Sequence, residues 1–279
     1  LVKKFGAIDL ILFQDLINFL VKIISLKTCY NNYENYLLLR CDYMESLSTG
    51  IEGLDILIDG GYPKGKSILV TGPPGSGKTI LGIHFLHRNC KEGKKCTLIL
   101  TRELTEDILN QSRSLNLDLK PFLESGGLTI RNIFEDKMNK IKSASKFGKG
   151  LCAVDTDIIE YLSSISSEVD VVVIDNIGVM AINHDIREFA DEFSSISIIL
   201  LKNGCTALFI MDEDSYDLTH RLTGYMVFGL IRLTSQENFK SGKTKKYLYI
   251  EKMRDKAVPV KYSLFDITSE GVQIITGMR

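Results

Sequence analysis

Residues 67–79 constrain this chain more tightly than any other stretch. Ser67-Ile-Leu-Val-Thr71 is a short apolar run with the length of a buried parallel strand. It passes without a spacer into Gly72-Pro73-Pro74-Gly75-Ser76-Gly77-Lys78-Thr79, a full G-x-x-x-x-G-K-[ST] phosphate loop. Apolar residues at 80, 81, 83, 85 and 86 then follow a helical pattern. A chance glycine-rich turn would not carry this strand and this helix on its two flanks. Gly72, Gly75 and Gly77 let the main chain curl with its N–H groups inward, where a side chain would block a phosphate. The helix that starts near Lys78 adds the positive end of its dipole. Lys78 is placed to reach β- and γ-phosphate oxygens, and the Thr79 hydroxyl to meet Mg²⁺. The expected ligands are therefore ATP and Mg²⁺, held by residues 72–79.

A second run, Val169-Asp-Val-Val-Val-Ile-Asp175, is apolar up to a terminal carboxylate. A buried central strand whose C-terminal end faces a ligand crevice reads this way. Asp175 would then accept hydrogen bonds from Mg²⁺-bound water, while Asp170 marks the strand entry. Strand-like runs recur at 67–71, 97–101, 128–133, 170–175, 206–211, 227–233, 246–251 and 260–267. Helical patterns fall at 80–91, 105–114, 156–166 and 185–202. Alternation of this kind predicts an α/β fold with a doubly wound, mostly parallel sheet and helices on both faces. The last two or three strands have no helix between them and are expected to form an antiparallel edge.

The 279 residues suit one core with a short extension. With 34 Lys+Arg against 35 Asp+Glu, no global charge draws the chain to nucleic acid or to an anionic membrane. A local run, Lys137, Lys140, Lys142, Lys146 and Lys149, has only Phe147 as an aromatic neighbour, so base stacking has little support and a solvated insertion is expected. Six cysteines without C-x-x-C spacing fit free thiols in a reducing cytosol. His84, His87 and Cys90 share one helix face, but no fourth zinc ligand is evident. Residues 1–27 are apolar yet interrupted by Asp9, Asp15, Asn18 and Lys22, short of the roughly 18–20 uncharged residues of a transmembrane span. They read as an amphipathic helix, 28–43 as a connector, and Met44 as a candidate natural start.

Ser48-Thr-Gly-Ile-Glu-Gly-Leu-Asp55, Gly60-Gly-Tyr-Pro-Lys-Gly65 and the phosphate loop together resemble the opening of a KaiC-type domain of the RecA-like ATPases. The resemblance continues through Thr105–Leu109, Leu115–Asp118, Glu251–Arg254 and Phe265–Ile274, and so covers about residues 44–279. It implies an ATPase that assembles as a homo-oligomeric ring, a hexamer in the usual case, with ATP between subunits. It also implies that Lys252 and Arg254 match the Lys-x-Arg pair that reaches the γ-phosphate of a neighbour's nucleotide.

In KaiC-like ATPases two adjacent glutamates usually end the strand after the phosphate-loop helix, the first of them activating water. Here Arg102 stands at the first position and Glu103 at the second. A guanidinium stays charged and cannot act as a base. A one-residue shift on a strand also reverses the side chain. ATP binding is therefore better supported than hydrolysis. Glu103 or Asp212 is a candidate to position water for slow turnover; alternatively Arg102 pairs with phosphate or with Glu103 and the protein holds ATP as a switch. Asp212, Glu213 and Asp214 otherwise read as a solvated strand exit. A RecA-type recombinase is the remaining alternative, disfavoured by the charge balance.

Overall fold

The computed structural model describes residues 45–146, 158–182, 185–213, 217–238, 243–259 and 261–275. The 1–43 extension, Met44, Lys149 and Asp214 lie outside these, as do the side chains of Lys140, Lys142 and Lys146. In chain order the elements are β1 (Ser46–Leu47), α1 (Glu52–Leu57), β2 (Tyr62–Pro63), β3 (Ser67–Gly72), α2 (Lys78–Lys91), β4 (Cys96–Leu100), α3 (Thr105–Ser114), α4 (Lys120–Glu124) and β5 (Leu128–Asn132). There follow α5 (Ile133–Lys146), α6 (Ile158–Ser163), β6 (Val171–Asp175), a 3₁₀ turn (Ile177–Ile182), α7 (Ile186–Lys202), β7 (Thr206–Asp212), α8 (Asp217–Met226), β8 (Gly229–Asn238), β9 (Lys243–Met253), β10 (Ser263–Thr268) and β11 (Gly271–Ile274).

Nine strands form one sheet in the order β11-β10-β9-β8-β3-β7-β6-β4-β5. Strands β5, β4, β6, β7, β3 and β8 run parallel. The edge expected to be antiparallel is so, and it is longer than expected: β9, β10 and β11 fold back in sequence from β8. The period-two alternation of the central strands sorts their side chains to two faces. Ile68, Val70, Leu98, Val173 and Leu208 pack toward Leu81 and Phe85 of α2. Leu69, Ile99, Val172, Ile174 and Phe209 pack toward Phe189, Phe193 and Ile196 of α7. Because both faces are covered, these strands read as unbroken apolar runs. Helix α7 starts where Asp185 accepts from the N–H groups of Arg187 and Glu188, while Glu188 accepts from Asp185 N–H, a reciprocal cap.

Most of the lysine run lies on a helix. Lys137, Lys140, Lys142 and Lys146 belong to α5, whose Glu135 accepts from Thr105 N–H at 2.8 Å and ties the helix start to α3. Ile133, Phe134 and Met138 supply the helical spacing that the charge run masked.

Two side chains pin the ends of this fold to its middle. The four acceptors of Lys256 Nζ are Ser46 Oγ, Ile58 O, Asp59 O and Gly61 O, all within 3.1 Å. That ammonium holds the turn after α1. His84 on α2 accepts from Val272 N–H at Nε2, 2.8 Å, which fixes the other ring proton on Nδ1, 3.2 Å from Gly50 O. The neutral ring thus joins the segment before α1 to β11. No side chain is tolerated opposite it: a Cβ on Gly271 would lie 2.0 Å from His84 Nε2, at a φ of +82°.

Burial pushes the His84 pKa down to about 4, against the carbonyl of Gly50, with His87 adding to the fall. A lowered folded-state value means that the ring's contribution is whole above its unfolded value near 6.5 and is lost as pH falls toward 4. The ring's own contribution to stability should fall by about 3 kcal/mol across that window. In urea titrations at pH 7 and pH 4.5, His84→Gln should be weaker at pH 7, and its loss of stability relative to wild type should shrink at pH 4.5. A loss of the same size at both pH values would exclude His84 as the titrating group.

Candidate functional site

The phosphate loop leaves the end of β3 and enters α2 at Gly77, whose φ of +105° is open to glycine and strained for other residues. A Cβ there would also lie 2.9 Å from Ile267 Cδ1 on β10. At Gly75, φ +73°, nothing lies within 4 Å of the Cβ position, so the loop is open there. The first helical bond is Leu81 N–H to Gly77 O, 3.2 Å, which leaves the N–H groups of Lys78, Thr79 and Ile80 without i−4 partners. Ser76 Oγ is buried in the loop without a hydrogen-bond partner. Inward amides, an orphaned hydroxyl and an open concavity fit a bound polyphosphate.

Lys78 is 7% exposed and spends its ammonium on Gly72 O at 2.9 Å, Pro73 O at 3.0 Å and Asp212 Oδ1 at 2.8 Å. Thr79 Oγ1 donates to Asp175 Oδ2 at 2.7 Å. The two residues that sequence spacing assigns to Mg²⁺ therefore meet across 96 positions of chain. Asp175 closes β6, and burial lifts its carboxyl pKa to about 6, opposed by Thr79 and Lys78 and supported by Glu103 and Asp212. Two oxygen ligands side by side beside an open cleft are a donor set that suits Mg²⁺ with several retained waters.

Arg102 and Glu103 both line the same cavity, of about 420 Å³, with Lys78, Thr79, Asp175 and Asp212. The reversal expected from a one-residue shift does not operate, because β4 ends at Leu100 and Thr101–Glu103 bend away from strand geometry. Arg102 does not pair with Glu103. Its Nη1 lies 3.1 Å from Asp212 Oδ2. Asp212 is thus no plain solvated strand exit: Asn176 Nδ2 also donates to its Oδ2, at 2.7 Å. Glu213, by contrast, faces Arg232 at 3.7 Å. The Glu103 carboxyl is raised by partial withdrawal from water, then by Asp107 and Asp212.

Lys252 and Arg254 lie away from this cleft. Lys252 is paired with Leu230, which stands beside Leu69 on β3. The Arg254 N–H bonds to Phe228 O, and Phe228 N–H bonds to Ser67 O. That level is five residues before Gly72, roughly 16 Å back along the strand. Both cations hold carbonyls at the end of α8: Lys252 reaches Gly224 and Val227 at 2.6 Å each, and Arg254 reaches Tyr225 at 3.1 Å. They cannot serve the phosphate loop of their own chain.

Several contributors carried no motif. Asn176 is a lone amide after the strand. Ile267 and Lys246 come from the C-terminal strands, with Lys246 Nζ 2.6 Å from Gly75 O. Their spacing from the loop, 171 residues for Lys246, gives a single sequence nothing to read. The His84/His87/Cys90 face is used for packing: His84 holds two backbone groups, and His87 meets the Phe122 ring edge-on at 5.6 Å.

The family profile described as "ATPase: KaiC" matches residues 47–278. A UPF0273 protein of Pyrococcus horikoshii is 27% identical over 233 residues, covering 81% of this chain and 92% of that protein. The circadian clock protein KaiC2 of Synechocystis is 44% identical over 82 residues, 29% of this chain and 14% of the clock protein. Among solved structures, a KaiC-like protein of Pyrococcus horikoshii superposes with a TM-score of 0.64 at 23% identity, covering 83% of this chain and 99% of its own, a likeness of fold. With the match running from β1 through the phosphate loop to the last strands, the chain belongs to the KaiC ATPase family within the RecA-like phosphate-loop proteins.

Proposed function

We propose that this chain binds Mg²⁺-ATP in the cleft above β3 and β6, turns it over slowly, and uses nucleotide occupancy to drive its assembly into a homo-oligomeric ring. Residues 44–279 carry the activity. The observation that carries the reading is the 2.7 Å contact between Thr79 and Asp175, one residue from the Lys78 ammonium, at the mouth of an open glycine-rich loop. The amides of Gly75 and of residues 77–80 would take phosphate oxygens, and Lys78 would balance the β- and γ-phosphate charge. Thr79 and Asp175 would hold Mg²⁺, which when bound supplies positive charge against the phosphate oxygens.

Slow turnover follows from the identity of residue 102. A guanidinium cannot take a proton from water, so that task falls to Glu103, which faces the cleft with a raised carboxyl. Arg102 favours a second reading, a nucleotide-held switch with negligible hydrolysis. The distance of Lys252 and Arg254 from their own phosphate loop supports action in trans: only a second copy can offer its γ-phosphate to them. The acceptors they hold at the end of α8 would then have to be shared or released on assembly.

Light scattering during size-exclusion chromatography, with ATP, ADP and no nucleotide, paired with phosphate release on the same samples, tests the proposal. A larger species with ATP than without nucleotide, and slow release, is the expected result; a monomer under all three conditions would refute the ring. Arg102→Glu should raise phosphate release by roughly tenfold or more, the scale of a restored general base. A fall would show that Arg102 itself assists turnover. In the assembled ring, Arg254→Ala should lower release by at least about tenfold; unchanged release would remove the trans role.

A further inference from the structure

The cations of the cleft converge on one carboxylate. Asp212 ends β7 in register with Gly72, the first residue of the phosphate loop, and Glu213 N–H bonds to Gly72 O at 3.1 Å. Its Oδ1 holds Lys78, and its Oδ2 holds Arg102 and Asn176. Lys78 gives its other two protons to Gly72 O and Pro73 O, so all three are spent. One compact anion thus bridges a buried ammonium, a half-exposed guanidinium and an amide. A terminal phosphoryl group could occupy that bridging position with its own oxygens.

We infer that the Asp212 carboxylate marks the terminal-phosphate subsite and occupies it as an internal phosphate mimic, with Lys78, Arg102 and Asn176 as its ligands. This rests on the reading of the cleft as an ATP site. The amides at the start of α2 take the inner phosphates, and Lys78 stands between these and the outer one. Arg102 lies on the far side of Asp212 from Lys78, where only the outermost phosphate arrives. A nucleoside triphosphate therefore displaces Asp212 from both cations and gains both. A diphosphate competes for Lys78 alone and leaves Arg102 on Asp212. Asp212 in this role holds down nucleotide affinity, and the cation at position 102, which cannot be a base, becomes a ligand that distinguishes triphosphate from diphosphate.

Titration calorimetry with Mg²⁺-ATP and Mg²⁺-ADP on wild type, Asp212→Asn, Arg102→Ala and Lys78→Ala separates this inference from the reading beneath it. Asp212→Asn keeps the shape and removes the charge. It should tighten ATP by roughly tenfold or more, the scale of relieved charge-assisted hydrogen bonds, and ADP by clearly less. Arg102→Ala should weaken ATP at least threefold and leave ADP within twofold. Thermal melts establish that each variant is folded; if Asp212→Asn is not, Arg102→Ala alone decides. ATP binding that is unchanged or weaker in Asp212→Asn, or an equal loss of ATP and ADP in Arg102→Ala, overturns the subsite while wild-type binding stands. If wild type takes up no ATP, or takes it up equally well after Lys78→Ala, the ATP reading fails and the subsite falls with it.

Discussion

The turn from β3 into α2 is the constraint on which the rest of this structure depends. A buried strand must end and a helix must start within five residues, Pro73 to Gly77, while the first amides of the helix stay without intrahelical partners. Only glycine accepts the φ of +105° at Gly77 with Ile267 pressed against it. Once that turn is made, the helix start, the Lys78 ammonium and the Thr79 hydroxyl share one small concavity. The parallel neighbours β7 and β6 then deliver Asp212 and Asp175 to its rim, because parallel strands end on the same side of the sheet. Partial burial of the two carboxylates near one another is tolerated because Lys78, Arg102 and Asn176 supply donors to Asp212, and Thr79 to Asp175.

The antiparallel strands β9–β11 serve two ends of the molecule at once. Near the loop, Lys246 holds the Gly75 carbonyl and Ile267 backs Gly77. At the far end, Lys252 and Arg254 neutralise the carbonyl end of α8, where cations are favoured. The eleven-residue strand β9 therefore runs from the phosphate loop to the carbonyl end of α8. His84 adds a second tie, from α2 to β11, so the helix that starts at the phosphates also carries the last strand of the sheet.

What could be read from the sequence was whatever local pattern dictates. The phosphate loop, the strand ending in Asp175 and the alternation of strands with helices need only a few consecutive residues. Arg102 was visible as an anomaly, but its partner was not: Asp212 lies 110 residues away and reads by itself as an acidic loop. Strand alternation misled at Glu103, because β4 had already ended at Leu100. The start of the lysine run was helix, since Ile133, Phe134 and Met138 anchor a pattern that charge alone concealed. Lys256 and His84 give no sign of their partners, because both bind backbone carbonyls or amides, which every residue offers.

The central claim is that a loop of main-chain amides and the Thr79–Asp175 pair together hold a metal-bound triphosphate. Calorimetric titration of the folded protein with ATP, in magnesium and then in excess chelator, tests it most directly. One-site uptake in magnesium that weakens sharply when the metal is withdrawn is the predicted result. Absence of any magnesium-dependent uptake would contradict the account.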